Sequence, residues 1–301
     1  MLETLEQRRL FTVLIDVHLS GSTLVINGSN GSDLIYVAQN NSGQLAVVAP
    51  YGITMMQHGG MVYLPLLATF SPASVSAIDI DLKSGNDALI KTTPLVPDTS
   101  VHGGTGNDGI SGYFGGTDNN GIPVTGHVYG DGGNDTLSIA GQFCYADGGS
   151  GADTFRNYLG LTGPIVDYST RSSDVTVDMN SAGGDGEAGE NDSVEPSCFG
   201  IRGGSGDDLL IGASTVAGTV NGGEGNFYGG DGNDTIFGGV GFDVISGGEG
   251  NDELHGGPVA DGPDIGDIIY GGNGNDTLYG TGHDSDILDG GAGTNVIYAS
   301  E

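Results

Sequence analysis

Twelve aspartates recur in one local setting. Asp33, Asp87, Asp108, Asp135, Asp153, Asp208, Asp234, Asp243, Asp252, Asp267, Asp276 and Asp286 each stand two residues before an apolar side chain, and most stand two after a glycine. Asn295 holds the same place in a thirteenth copy. The most regular copies, GGDGNDTIF, GGVGFDVIS and GGEGNDELH, follow one another without a gap from Gly229. Carboxylates so spaced, on turns whose glycines leave the carbonyls bare, are hard oxygen donors. The cation that takes six to eight such oxygens at about 2.3–2.6 Å, from side chains and backbone alike, is calcium. In the tandem copies the backbone donors would be Gly229, Gly232, Gly238, Gly241, Gly247, Gly250, Gly271 and Gly274.

An isolated aspartate has a plainer explanation, because Asp favours turns without any ligand. Asp33 and Asp87, distant from other copies, admit both readings, whereas the tandem copies point to the metal. The acidic stretch Asp185, Glu187, Glu190 and Asp192 reads either as an irregular site or as an exposed loop. Other chemistry is not spelled out. No HExxH or GxSxG occurs, the six histidines share no ligand spacing, and two GxGxxG matches open no helix. Asp79 and Asp81 begin an EF-hand-like run that Lys83 breaks. The chain is expected not to be an enzyme.

The elements that must hold these donors follow from the nine-residue unit. Glycines at positions one, two and four suit a six-residue turn with positive φ. The remaining three residues form a strand whose middle side chain, at position eight, faces inward. That position is apolar in all thirteen units, from Ile35 to Ile297. Two units make a coil, and coils stack as parallel strands, since no unit can bury its strand alone. Turns two units apart then lie about 4.8 Å from each other. This predicts two ladders in the C-terminal block, one of Asp234, Asp252, Asp276 and Asn295, the other of Asp243, Asp267 and Asp286. The expected architecture is an all-β parallel β-roll, with extra strands near the N-terminus where Val37 to Leu82 alternates, as in QLAVV and MVYLP. Leu2 to Arg9 is the best helix candidate. The expected divisions are a candidate targeting segment at 1–20, a β-rich part with degenerate repeats at 21–100, irregular coils with insertions at 101–202, and the tandem roll at 203–301.

Charge agrees with a bound cation. The chain carries 39 acids and 7 bases, a formal net charge of −32. After Arg202 no Lys or Arg follows, while seventeen acids do. Such a chain repels nucleic acid and anionic membranes, and nothing within its last third can neutralise the acids. No apolar run approaches the ~18–20 residues of a membrane span. Cys144 and Cys198 allow one disulfide or two free thiols.

The GGxGxDxUx units, where U is an aliphatic residue, resemble the hemolysin-type RTX calcium-binding repeat proteins, closely over Gly203 to Tyr298 and intermittently over Gly28 to Arg156. That resemblance implies a right-handed parallel β-roll with multiple calcium ions between its turns. The stretch from Asp167 to Val194 resembles a linking segment of bacterial repeat proteins of this kind. LETLEQRRL resembles the LE-x-R-x-L opening of some bacterial extracytoplasmic proteins. The implied function is an extracellular or cell-surface bacterial protein that folds on calcium, with a structural or adhesive role toward cell-surface glycans or other extracellular proteins. The alternative is a polysaccharide-active enzyme or toxin-like secreted protein carrying the repeat module. A cleft lined by Tyr113, Phe114, Arg156 and Tyr158 would favour the enzyme.

Overall fold

Eleven parallel strands stacked in one sheet form the spine of the computed structural model, which describes residues 15–49, 66–93, 97–117, 122–160, 162–214, 224–257, 266–280 and 286–299. This long sheet runs from Thr23–Asn27 to Ile287–Asp289, and an antiparallel strand, Asp16–Ser20, covers its first edge. The opposite wall is two sheets, an eight-stranded one over the N-terminal half and a seven-stranded one over the C-terminal half. They meet at the stretch from Asp167 to Val194. Apart from one short 3-10 turn, Pro72–Ser74, the described residues are strands and turns. The fold is an all-β parallel β-roll.

Each coil is one long-sheet strand, an outbound turn, a strand of the opposite wall and a return. Where both turns are regular the coil takes eighteen residues, so that Phe227 pairs with Ile245 and Ile236 with Leu254. Insertions lengthen other coils without changing the stacking. The repeats before residue 212 look scattered for this reason. There most coils keep a repeat aspartate only in the outbound turn, while the return carries irregular chain of varying length.

A thin double row of apolar side chains fills the space between the walls. From the opposite wall come Ile35, Leu89, Ile110, Leu137, Phe155, Leu210, Ile236, Leu254 and Leu278, all fully buried. They meet Ile26, Ile80, Val101, Val128, Val166, Ile201 and Phe227 from the long sheet. Period-two alternation does this: Leu24 and Ile26 point in while Val25 points out. In the last described coil Leu288 is only partly buried and Ile297 remains 45% exposed, because no further coil among the described residues lies over them.

The extra N-terminal strands are antiparallel. Leu34–Gln39 pairs with Leu45–Val48, which pairs with Leu66–Phe70, and together they cover the first edge of the opposite wall. MVYLP and the helix candidate at Leu2 to Arg9 lie outside the described residues. Cys144 and Cys198 are buried free thiols. Lys91, unremarked in the sequence, is fully buried; its Nζ donates to the carbonyls of Tyr113 at 2.7 Å and Thr93 at 3.4 Å. Burial pushes this amine down to about 7.

Candidate metal centre

In the tandem turns the glycines do two different jobs. Positions two and four have positive φ, as at Gly230 (125°) and Gly232 (118°) or Gly248 (122°) and Gly250 (124°). The expectation of positive φ at position one is not met: Gly229, Gly238, Gly247 and Gly271 are not among the positive-φ glycines. They are glycine because the space of a Cβ is taken. A methyl built on Gly238 would stand 2.5 Å from Asp243 Oδ2 and 2.6 Å from the carbonyl oxygen of Gly256 in the next coil. Asp234 Oδ2 and the Gly247 carbonyl converge in the same way over Gly229, as do Asp252 Oδ2 and the Gly271 carbonyl over Gly247.

The aspartates are tied rung to rung. The amide of Asp208 donates to Asp234 Oδ1 at 2.9 Å, that of Asp234 to Asp252 at 2.9 Å, that of Asp252 to Asp276 at 3.1 Å, and that of Asp276 to Asn295 at 2.8 Å. Along the return turns Asp243 donates to Asp267 and Asp267 to Asp286, both at 2.9 Å. Both ladders anticipated from the spacing are present. An N-terminal ladder continues the outbound side, with Asp33, Asp87, Asp108, Asp135 and Asp153 donating in turn to the next carboxylate at 2.6–2.8 Å.

These bonds use one oxygen of each carboxylate. The Oδ2 atoms of Asp87, Asp108, Asp135, Asp153, Asp234, Asp252 and Asp276 are buried and accept no hydrogen bond, and Asp243 has both oxygens in that state. A buried polar atom without a partner costs about 1–3 kcal/mol, and more when charged. Eight such residues on stacked turns, six of them (Asp108, Asp135, Asp234, Asp243, Asp252 and Asp276) beside a carbonyl of the next coil, fit a series of oxygen-ligated cations. The family model of the RTX calcium-binding nonapeptide repeat matches in four copies, at residues 127–138, 201–214, 228–262 and 266–282. The chain carries RTX calcium-binding repeats. No curated protein matches it.

The electrostatics of the RTX turns follow from burial. Asp243 is pushed up to about 9 by desolvation and then by the neighbouring charge of Asp267. Asp135, Asp153 and Asp234 are pushed up to about 7, with desolvation the largest cause, backbone hydrogen bonds opposing it and adjacent aspartates adding to it. Asp87 and Asp252 reach about 6 for the same reasons. A divalent cation between the coils would reverse this, as a bound ion is the largest local charge. Among the described residues no three acidic, histidine or cysteine side chains converge. An ion here would draw on one carboxylate per rung and on backbone carbonyls, as the glycine spacing implies.

Not every repeat aspartate presents a free oxygen. Asp33 accepts from the Ser29 amide at 2.6 Å and hydroxyl at 3.2 Å, and Asp208 from the amides of Gly204 and Val175, each at 2.7 Å. The acidic stretch is not an exposed loop: Asp185 and Asp192 are 1% exposed, and Asp192 Oδ1 accepts the Asp153 amide at 2.8 Å as the next rung of the ladder. The sequence carried a signal for this, since Asn191–Asp192–Ser193–Val194 is the tail of a repeat without its glycines. Of Tyr113, Phe114, Arg156 and Tyr158, the two tyrosines meet edge to face with ring centroids 5.7 Å apart. Phe114 is fully buried in the core, and Arg156 donates to Ser138 Oγ at 2.6 Å.

A second ladder, at position five, is not signalled by the repeat motif. Asn233 Oδ1 accepts the Asn251 amide, Asn251 Oδ1 the Asn275 amide and Asn275 Oδ1 the Thr294 amide, at 2.8–2.9 Å. It points toward the C-terminus where the aspartates point toward the N-terminus, so each turn is clamped from both sides. Replacing Asn251 by alanine is expected to cost about 1–2 kcal/mol in denaturant unfolding and to leave the number of bound calcium ions unchanged.

Proposed function

We propose that the protein is an extracytoplasmic, non-catalytic calcium-dependent β-roll whose folding is completed by the ion and whose outer faces serve adhesion. The row of buried carboxylate oxygens without partners carries this reading, because apo coils must either protonate or repel one another. The ligands are Asp87, Asp108, Asp135, Asp153, Asp234, Asp243, Asp252 and Asp276, with carbonyls of adjoining turns. Each site held at ten times its dissociation constant adds about 1.4 kcal/mol. Weak sites of the roughly 10⁻⁴–10⁻³ M class fill outside cells and not in a resting cytosol.

An outer face supports the adhesive role. Phe237, His255, Tyr279 and Tyr298 stack face to face along four successive strands, with ring centroids 4.4, 4.3 and 4.8 Å apart. The stack presents ring edges and the Tyr279 and Tyr298 hydroxyls, a polar-tipped apolar ridge that suits the hydroxyls of a glycan. The test is binding to a glycan array in calcium and in EGTA, beside a hydrolase panel. Calcium-dependent capture without turnover, weakened about tenfold by Tyr279→Ala, is the expected result. Turnover of a polysaccharide would overturn the non-catalytic reading, and capture indifferent to Tyr279 would overturn the aromatic strip.

A further inference from the structure

At the join between the two opposite sheets the ladder changes its chemistry. The outbound turn after Ile165–Asp167 begins with Tyr168 where the regular turns have glycine, and Tyr168 is 1% exposed. Its amide donates to the Arg202 carbonyl at 2.8 Å, as the Gly130 amide does to Asp147 in a regular coil, which fixes the register. The phenol reaches inward and donates to Asp192 Oδ2 at 2.9 Å. That is the oxygen left without a partner on the preceding rungs Asp87, Asp108, Asp135 and Asp153.

The same turn supplies a cation. Arg171 Nη2 donates to the Gly149 carbonyl at 2.7 Å and to Asp147 Oδ1 at 3.2 Å, and lies 3.5 Å from Glu190 Oε1. The next residue in aspartate register is Val175, fully buried, whose amide donates to Asp208 Oδ1 at 2.7 Å. The cradle is altered too. The three atoms nearest the missing Cβ of Gly148 all belong to Asp153, whereas at Gly130 and Gly203 the next coil's carbonyl oxygen is among them.

We infer that this join is a metal-free section of the roll, in which the Tyr168 hydroxyl and the Arg171 guanidinium take the place of calcium, so that the ions form two separate blocks, Asp87 to Asp153 and Asp234 to Asp276. The inference rests on the calcium reading of the ladders. Its physical basis is that a phenol donor and a fixed guanidinium satisfy a buried carboxylate and a carbonyl without an ion. At the ladder position next to Asp208 this turn puts Val175, which has no carboxylate to offer.

The test counts bound calcium in the full-length protein by equilibrium dialysis at saturating calcium chloride. Asp234→Asn is expected to lower the count by one or two ions, and this control tests the ladder reading on its own. Asp192→Asn is expected to leave the count at the wild-type value; a fall like that of Asp234→Asn would overturn the inference. Should Asp192→Asn fail to fold, Tyr168→Phe removes the hydroxyl and leaves the carboxylate. An unchanged or raised count in that variant supports the metal-free join, and a lowered count overturns it.

Discussion

Asp243→Asn is expected to shift stability in opposite directions with and without calcium. Asp243 is 0% exposed, it receives no rung-to-rung hydrogen bond, and burial and the charge of Asp267 outweigh the opposing backbone amide of Gly225. Without the ion, folding at neutral pH requires this carboxyl to hold a proton that the unfolded chain would release. At ~1.4 kcal/mol per pH unit, from 3.8 to pH 7, the cost is on the order of 4 kcal/mol. Asparagine removes that cost and is expected to stabilise the apo chain by a comparable amount. In calcium the same change removes a charged ligand from a buried pair and is expected to destabilise by about 3–5 kcal/mol. Urea unfolding measures the loaded protein. For the apo chain an osmolyte such as TMAO can bring folding into the measurable range. Shifts of the same sign in both states would contradict the role assigned to Asp243.

Acid is expected to stand in for calcium. Asp87, Asp108, Asp135, Asp153, Asp234, Asp243 and Asp252 have folded values raised above the unfolded one, so their neutral forms favour the roll. Their contribution is fully present below about 4 and is lost as pH rises through about 6 for Asp87 and Asp252 and about 7 for Asp135, Asp153 and Asp234. Asp243 extends the loss to about 9. In EGTA the protein is therefore expected to gain sheet signal as pH falls from 8 toward 4.5, with little change over the same range in saturating calcium. A chelated protein that loses sheet on acidification would show that the carboxylates fold charged and already compensated.

The repeat made most of this legible, because each unit writes its own turn, ligand and core residue. Ile236, Leu254 and Leu278 are inward and Asp234, Asp252 and Asp276 aligned for the same reason: a fixed offset of position eight from position six. Farther toward the N-terminus the offset persists but the period does not, since insertions such as the one between Tyr113 and Gly126 enlarge the return turns. Asp33 and Asp87 thus looked solitary though they occupy neighbouring coils, 54 residues apart in sequence and joined by a 2.6 Å hydrogen bond. Position-one glycine is required by volume and not by conformation, a distinction that needs the neighbouring coil. Tyr168 and Arg171 were not legible, because their partners Asp192 and Gly149 lie 24 and 22 residues away across an insertion.

A calcium titration of the full-length protein at pH 7.5, read by far-ultraviolet circular dichroism and hydrodynamic radius together, tests the whole account most directly. The account predicts an expanded, sheet-poor chain in EGTA that becomes compact and sheet-rich as calcium reaches the millimolar range. A chain that stays as small and as rich in sheet after exhaustive chelation would contradict it.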